Sequence, residues 1–304
     1  MKTVKLFGTD VKLSTILQYV GIYVAFVVAL LLLDTIPQSF LYDKVSWYGV
    51  LVGTGFLAGL IVTVLQSHRR NIDPDFFFTL LLYVFPFAII GARLYYVVFE
   101  WEQFHSFYDI IAIWNGGLAI YGGIIGGAIA VILACKIHKQ SIIDIIDVIV
   151  PALILGQAIG RWGNFVNQEA YGVALHNTDW QWFPFAVDIE YCTQIAEGCT
   201  CGGYGWHLAT FFYESMWNLI GFFVLSYLLK KVSIKGVLMG SYFIYYGVGR
   251  FVIEGLRMDS LYWGIFRVSQ VLSFVLIFVG VVMIVTLLIL DRRKNEMNHI
   301  VSTT

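Results

Sequence analysis

Charged residues are scarce in this chain. Only 13% of its 304 residues are Asp, Glu, Lys or Arg, whereas 59% are hydrophobic. Soluble domains contain about 25% charged residues, so the deficit argues against a soluble protein and for a lipid environment. The formal net charge is -1, and no basic tail or patch is visible, so we expect no nucleic acid among the partners.

Two further features are lacking, and each absence bears on a class of protein. The sequence shows no internal repeat and no low-complexity tract, so self-similarity gives no support to an inverted-repeat transporter. The first apolar run lacks the compact basic segment and the small-residue cleavage site of a signal peptide. That run is therefore interpreted as a membrane anchor.

Long apolar stretches, in contrast, are abundant, and eight of them are long enough to cross about 30 Å of hydrocarbon as helices. Strands with open edges do not survive in lipid, so helices are the only option. We therefore predict an all-α polytopic membrane protein with about eight transmembrane helices and a small extracytoplasmic head at about 165–208. The predicted spans are roughly 14–34, 47–67, 77–99, 116–136, 142–160, 209–229, 236–256 and 267–290.

The basic residues predict the orientation of these spans. Thirteen of the 19 Lys and Arg residues fall at the termini and in alternate connections. The positive-inside rule makes that side cytoplasmic, so both termini are expected in the cytoplasm. The predicted organisation is an additional N-terminal helix with its connection at 1–45, a membrane domain at 46–290 and a cytoplasmic tail at 291–304.

The stretch GRWGNFVNQEAYG, residues 160–172, gathers hydrogen-bonding groups at the predicted outer end of the fifth span. An arginine at the bilayer centre costs about 2.5–3.5 kcal/mol on insertion scales, so Arg161 needs a partner or a water-filled cavity. Alternatively, Arg161 extends to lipid headgroup phosphates. Gly160 and Gly163 favour a helix end at which the backbone bends, and Asn164 lies beside that end.

The seventh span carries a second polar group at the same depth. Tyr246, Arg250, Glu254 and Arg257 fall within an arc of about 80° on one helix face. A local Arg250–Glu254 ion pair explains two of these charges but leaves Arg161 and Arg257 without assigned partners. Several guanidiniums and amides at one depth indicate a site for a lipid phosphate or another anion.

Other candidates are weaker. Tyr121 lies in a glycine-rich span, Glu214 lies one turn into the sixth span, and Arg93 lies near the outer half of the third. Three outer cysteines permit one disulfide and one odd thiol. A zinc site that uses them with His207 is the alternative, although the spacing matches no common pattern. The three cysteines are Cys192, Cys199 and Cys201.

Six motifs occur together over roughly residues 46–290, and in this order they resemble the prolipoprotein diacylglyceryl transferase family. The long stretch at 160–172 is the most specific of them. The motifs are WYG at 47–49, GARLYY at 91–96, GGLAIYGG at 116–123, GRWGNFVNQEAYG at 160–172, YES at 213–215 and GRFVIEGLR at 249–257.

The resemblance implies transfer of the diacylglyceryl group of phosphatidylglycerol to the lipobox cysteine thiol of a prolipoprotein signal peptide. The expected products are a thioether and glycerol phosphate, and no cofactor or metal is expected. The implied setting is the bacterial cytoplasmic membrane, with membrane lipids as surroundings and the active site towards the outer leaflet. The implied site residues are Tyr48, Arg161, Asn164, Glu169, Gly172, Tyr246, Arg250 and Glu254.

Three further residues complete the predicted site. Asn167 and Arg257 are candidates for binding substrate, and Tyr121 is a catalytic candidate at a position where some family members carry histidine. For Tyr121 two roles compete: a phenolate that takes the thiol proton, or a neutral phenol that donates a hydrogen bond to the lipid phosphate. We favour the second role, because a free phenol is protonated at neutral pH.

Two functions of other classes remain as alternatives. The same arginines would suit a transporter or channel for an anionic solute, although the specific motifs argue against it. A non-catalytic scaffold would tolerate the loss of single arginines. The predicted first helix and the outer cysteines depart from the family pattern, and the oligomeric state is not predicted.

Overall fold

A computed structural model describes residues 3–6, 9–12, 47–104, 106–113, 116–189, 205–258, 260, 262–264 and 266–303. Helices account for most of these residues, which also include three two-stranded antiparallel hairpins. The elements in chain order are β1 Thr3–Leu6, β2 Thr9–Lys12, α1 Trp47–Gln66, α2 Pro74–Phe99, α3 Phe107–Ile111, α4 Ile120–Ile137, α5 Ile142–Val166, β3 Ala186–Ile189, β4 Gly205–Leu208, α6 Thr210–Lys231, α7 Val237–Leu256, β5 Tyr262–Trp263, β6 Phe266–Arg267 and α8 Val268–Thr303.

Six of the described helices are long and apolar enough to cross a membrane: α1, α2, α4, α5, α6 and α8. Helix α7 has 20 residues but is not among the six. The predicted span at 14–34 lies outside the described residues. The chain is therefore a helical, multi-pass membrane protein, and the count of eight spans stays a prediction.

Two helices end later than the sequence patterns predicted. Helix α5 continues to Val166, six residues beyond the predicted end at 160. It continues because Trp162 and Phe165 in its last turns pack against Phe211, with ring centroids 5.6 and 5.0 Å away. The predicted backbone bend at Gly160 is therefore wrong, and Arg161 projects from a regular helix. Helix α8 likewise runs without a break through the predicted tail to Thr303.

The chain forms two compact units, one of residues 1–66 with 147–304 and one of residues 67–146. In the first unit, small residues allow helices α1 and α5 to approach closely. A Cβ added to Gly55 would lie 2.9 Å from the carbonyl oxygen of Gly156, and one added to Gly59 would lie 3.2 Å from that of Ala152. Close helix packing is thus the role of Gly55 and Gly59, which lie four residues apart on the same face of α1.

The β3–β4 hairpin packs on the carboxyl end of α5 and the amino end of α6 in the same unit. Its strands pair antiparallel from Ala186↔Leu208 to Ile189↔Gly205. Between hairpin and helices lies an apolar cluster of five buried residues, on which Trp162 and Phe212 also pack. The five are Tyr171, Val187, Ile189, Ala209 and Phe211. This cluster fixes the last turn of α5 against the first turn of α6, where the charged residues lie.

Arg93 organises the second unit. It is 8% exposed, and its guanidinium donates hydrogen bonds to five backbone carbonyls of the connection between α2 and α4. The acceptors are Asp109 at 2.6 Å, Ile110 at 2.9 Å, Ala112 at 3.3 Å, Gly116 at 2.6 Å and Gly117 at 2.9 Å. A guanidinium has five N–H donors, so the five backbone carbonyls match the full hydrogen-bonding capacity of this side chain. The structure gives it a scaffolding role.

Candidate active site

Glu214 is the centre of a charged cluster on three helices of the first unit. Its side chain is 5% exposed, and it lies one turn into α6. Oε1 lies 2.6 Å from Nη2 of Arg161 on α5, and Oε2 lies 3.2 Å from Nη1 of Arg250 on α7. One buried carboxylate therefore holds two guanidiniums in a common position.

Arg250 has a second carboxylate partner on its own helix. Nη2 of Arg250 lies 2.7 Å from Oε2 of Glu254, four residues further along α7, and the Glu254 side chain is 2% exposed. This contact confirms the ion pair that the sequence spacing predicted. The four charges of Arg161, Arg250, Glu214 and Glu254 sum to zero. Their mutual neutralisation explains how they are stable away from bulk water.

An amide network extends the cluster beyond the end of α5. Oδ1 of Asn164 accepts a hydrogen bond from Nη1 of Arg161 at 3.3 Å, and its Nδ2 donates to Oε1 of Glu169 at 2.9 Å. Nδ2 of Asn167 donates to the same oxygen at 3.4 Å. The predicted residues Arg161, Asn164, Asn167 and Glu169 are thus brought together as one hydrogen-bonded chain.

The backbone that returns Glu169 to the helix end is strained. Gln168 and Ala170 have φ angles of 51° and 58°, a left-handed conformation that costs non-glycine residues about 1–3 kcal/mol each. The Glu169 amide closes the turn on the Asn164 carbonyl oxygen at 2.9 Å. This turn places the carboxylate of Glu169 beside Asn164.

Two tyrosines border the cluster in different ways. The Tyr246 hydroxyl lies close to Arg161, Arg250 and Glu214 and is within range of their charges. Tyr48, at the start of α1, packs its ring against α5 at Gly163. A Cβ at Gly163 would lie 2.8 Å from Cδ2 of that ring. The absence of a side chain at Gly163 leaves room for the Tyr48 ring. This glycine therefore serves packing and does not produce the predicted bend.

Gly172 and Arg257 meet through their backbones. They form an isolated antiparallel bridge that ties the segment after α5 to the end of α7. A Cβ on Gly172 would lie 2.7 Å from Cβ of Leu208 and 2.9 Å from Cγ2 of Thr210. The structure therefore shows Gly172 as a packing position that brings these segments close to the charged cluster.

Arg267, which the sequence reasoning did not single out, holds the carboxyl end of α7. Nη1 donates to the carbonyl oxygens of Glu254 and Arg257, the latter at 3.2 Å. Its guanidinium also lies over the ring of Tyr262, 5.6 Å from the centroid. A cation at a helix carboxyl end is favourable, and here it fixes the turn that carries Glu254.

Tyr121 belongs to the second unit, in the first turn of α4. It is 54% exposed, and its ring centroid is 6.2 Å from that of Tyr95 on α2. The backbones of α2 and α4 touch just below it, since a Cβ at Gly91 would lie 3.0 Å from Cα of Gly126. Its predicted role as a hydrogen-bond donor to the lipid phosphate stays a prediction.

Two other predictions concern metals and cysteines. Within the described part of the chain, no group of three His, Cys, Asp or Glu side chains is placed to hold a metal ion. His207 contacts the Gly172 carbonyl oxygen through Nδ1 at 3.0 Å. Cys192, Cys199 and Cys201 lie outside the described residues, so the predicted disulfide stays a prediction.

The chemical capacity of the cluster is that of an anion site with its own counter-ions. Arg161 is 21% exposed and Arg250 is 15% exposed, while their carboxylate partners are 5% and 2% exposed. An incoming anion therefore meets the guanidiniums first. In a water-poor site such prepositioned charges stabilise a developing negative charge strongly.

Glu214 is the residue that the predicted site lacked. The sequence showed it within the motif YES and one turn inside an apolar helix, where a carboxylate is costly. That cost was the available signal. Spacing along a single helix does not show which other helix supplies the counter-charge.

Comparison with known proteins gives concordant matches. A family model described as prolipoprotein diacylglyceryl transferase matches residues 38–286. Curated proteins named phosphatidylglycerol–prolipoprotein diacylglyceryl transferase are similar over most of their length. That of Streptococcus uberis is 40% identical over 244 residues, 79% of this chain and 90% of the relative. That of Clostridium perfringens, numbered 1, is 40% identical over 255 residues, 83% and 94% of the two chains. That of Listeria monocytogenes is 40% identical over 251 residues, which are 80% of this chain and 85% of the relative.

Proposed function

The chain belongs to the prolipoprotein diacylglyceryl transferase family, and from this premise we propose that it transfers the diacylglyceryl group of phosphatidylglycerol to a prolipoprotein. The acceptor is the lipobox cysteine thiol of the signal peptide. The thiol sulfur forms a bond to the glycerol carbon, the bond from that carbon to the phosphate oxygen breaks, and the thiol proton is lost. The products are a thioether-linked prolipoprotein and glycerol phosphate.

The pair of arginines on Glu214 is the observation that carries this proposal. A phosphodiester that departs from carbon gains negative charge on its oxygen. Arg161 and Arg250 come from two different helices, and Glu214 fixes both within 3.2 Å of one carboxylate. Guanidiniums suit such a leaving group, because their planar donors bind phosphate oxygens in pairs.

The neutral charge of the cluster gives the substrate phosphate a defined way to bind. Among the described residues, Arg161, the more exposed guanidinium, forms an ion pair with Glu214, whereas Arg250 contacts both Glu214 and Glu254. We expect the phosphate to take over donors of Arg161 first, while Arg250 keeps Glu214 in place. The site then gains an anion without leaving a buried carboxylate unpaired.

The remaining predicted residues position the reactants. Asn164, Asn167 and Glu169 orient Arg161 through their hydrogen bonds. Tyr246 lies beside the same guanidinium, and Tyr48 covers the helix that carries it. Tyr121 donates a hydrogen bond to the lipid phosphate. Arg257 and Gly172 keep their predicted role in substrate binding.

The proposed membrane arrangement has about eight transmembrane helices and a small head outside the membrane. Both termini face the cytoplasm of a bacterium, and the active site faces the outer leaflet of its cytoplasmic membrane. The alternation of basic connections supports this orientation. The position of Arg161 about one and a half turns before the end of α5, near the β3–β4 hairpin, is consistent with a site at that depth.

The deciding experiment is incubation of the purified protein with phosphatidylglycerol and a lipobox peptide. We expect the peptide mass to rise by one diacylglyceryl group and glycerol phosphate to be released. A peptide with serine in place of the lipobox cysteine is the matched control and should remain unmodified. An unchanged mass of the cysteine peptide would refute the proposed reaction. Uptake of an anionic solute by proteoliposomes without any lipid product would favour a transporter instead.

A further inference from the structure

Asn218 is a buried amide one turn beyond Glu214 on helix α6. It is 1% exposed, and neither its Oδ1 nor its Nδ2 has a hydrogen-bond partner among the described residues. Residues four apart lie on the same helix face, so this amide and the Glu214 carboxylate point into the same seam. A buried amide without hydrogen bonds is costly, because the loss of its hydration is not compensated.

The seam lies between α5 and α6, which run antiparallel. The Arg161–Glu214 ion pair marks one level, at 2.6 Å. Further along α6, a Cβ on Gly221 would lie 2.6 Å from Cδ1 of Ile154 on α5, which marks a deeper level. Asn218 falls between these two levels, directly below the charged cluster.

Gln157 occupies the matching position on α5, one turn before Arg161. Its Nε2 donates to the Tyr242 hydroxyl of α7 at 2.9 Å. Its Oε1 is buried and has no hydrogen-bond partner in the described part of the chain. Three helices thus contribute neutral polar groups to a second layer below the guanidiniums, formed by Gln157, Asn218 and Tyr242.

The chemistry of this layer differs from that of the charged cluster. Amides both donate and accept hydrogen bonds. An ammonium ligand only donates and a phosphate oxygen only accepts, so neither satisfies Asn218 completely. Hydroxyl groups do both. A glycerol attached to a phosphate at the arginines extends about as far as one helical turn, roughly 5.4 Å.

We propose that Asn218 and Gln157 form a subsite for the hydroxyl groups of the glycerol head group of the lipid substrate. The proposal rests on the proposed function, and it makes this layer the determinant of head-group selectivity. The head group is directed into the helix seam, and the diacyl end remains towards the surrounding lipid.

The test compares two lipids that differ only in those hydroxyls, phosphatidylglycerol and phosphatidylpropanol, with a lipobox peptide as acceptor. A site built to hydrogen-bond hydroxyls discriminates strongly against a ligand without them. We expect the full-length wild-type protein to prefer phosphatidylglycerol by about 10- to 100-fold in kcat/KM. In Asn218→Leu that preference should fall to within about 3-fold, with turnover of phosphatidylpropanol nearly unchanged. Gln157→Leu should reduce the preference to a smaller extent.

Gln66→Leu is the matched control. Gln66 is also a buried amide, 1% exposed and bonded to Ser226 at 3.1 Å, but it lies on α1 away from the cluster. It should keep the wild-type preference. Asn218→Leu replaces an unpaired amide by an apolar side chain of similar size, so this variant should insert and fold. Asn218→Asp is the second variant, and it should retain part of the preference for phosphatidylglycerol.

Each outcome has a defined meaning. Absence of transfer from both lipids in the wild type would refute the proposed function itself. Equal use of both lipids by an active wild type would overturn only the subsite. An equal loss on both lipids in Asn218→Leu would assign the amide to packing or to a bound water, and would also overturn it.

Discussion

Arg161 and Arg250 should respond differently to substitution in stability but alike in activity. Arg250→Ala removes the shared partner of Glu214 and Glu254, whose side chains are 5% and 2% exposed. Arg161→Ala leaves Glu214 with Arg250. The more exposed Arg161 is also better screened by solvent, at 21% against 15% exposure.

The magnitudes follow from the number of carboxylates left unpaired. Breaking a buried ion pair by removing one partner costs about 3–5 kcal/mol. We expect this full cost for Arg250→Ala and a smaller one, roughly 1–3 kcal/mol, for Arg161→Ala because of its exposure. At roughly 2 °C per kcal/mol, the Tm should fall by about 6–10 °C and about 2–6 °C respectively. Transfer should fall by about 10²–10³ in both, as when a donor to a developing oxyanion is lost.

The assay measures Tm in detergent and transfer to a lipobox peptide on the same preparations. Arg161→Lys and Arg250→Lys should recover little activity if the phosphate contact uses two donors. The double variant Arg250→Met with Glu254→Leu removes both charges and should recover part of the Tm without recovering transfer. A larger loss of Tm in Arg161→Ala than in Arg250→Ala would contradict the charge geometry. Near-normal transfer in either alanine variant would refute the role of the arginines.

Four further predictions concern residues outside this cluster. Tyr121→Phe should keep measurable transfer with an unchanged pH profile; an inactive Phe variant beside an active Tyr121→His with a profile shifted to lower pH would identify Tyr121 as the base. Arg93→Lys should lower both Tm and transfer markedly, because one ammonium cannot replace donors to five carbonyls. A Tm within about 1–2 °C of wild type would disprove that scaffolding role. Replacing Cys192, Cys199 and Cys201 together by serine should lower Tm and leave transfer largely intact, whereas complete loss of transfer or stoichiometric zinc in the wild type would overturn the disulfide prediction. Reporter fusions to both termini should report the cytoplasm, and an N-terminus found outside would remove the first predicted span or reverse the orientation.

Periodicity predicted the parts of the site that lie on one helix. The Arg250–Glu254 pair was predictable because residues four apart share a face. Contacts between helices were not: Glu214 joins Arg161 and Arg250 only through the packing of α5, α6 and α7. The same limit applies to Gly163, because only the packed structure shows that the Tyr48 ring occupies its place.

Helix ends were harder to predict than helix positions. Polar residues after 160 indicated an end, yet α5 continues to Val166. The misleading signal arose because Arg161 and Asn164 satisfy one another and their neighbours inside the helix, so their polarity does not require water. The pattern of apolar residues indicates which positions are buried against protein or lipid. It does not distinguish charged residues that form a buried ion pair from charged residues in a loop exposed to water.

The distribution of the four charges over three helices has a consequence for the order in which the nascent chain enters the membrane. Arg250 arrives together with Glu254, four residues away, and with Glu214 already synthesised. Arg161 arrives alone, because Glu214 follows only on the next long helix. At a synthesis rate of about 5–20 residues per second, several seconds pass between Arg161 and Glu214. During that time the unpaired Arg161 makes the insertion free energy of α5 less favourable by about 2.5–3.5 kcal/mol at most. Helix α5 is more apolar than α6, which allows the earlier helix to remain inserted until its counter-ion reaches the bilayer.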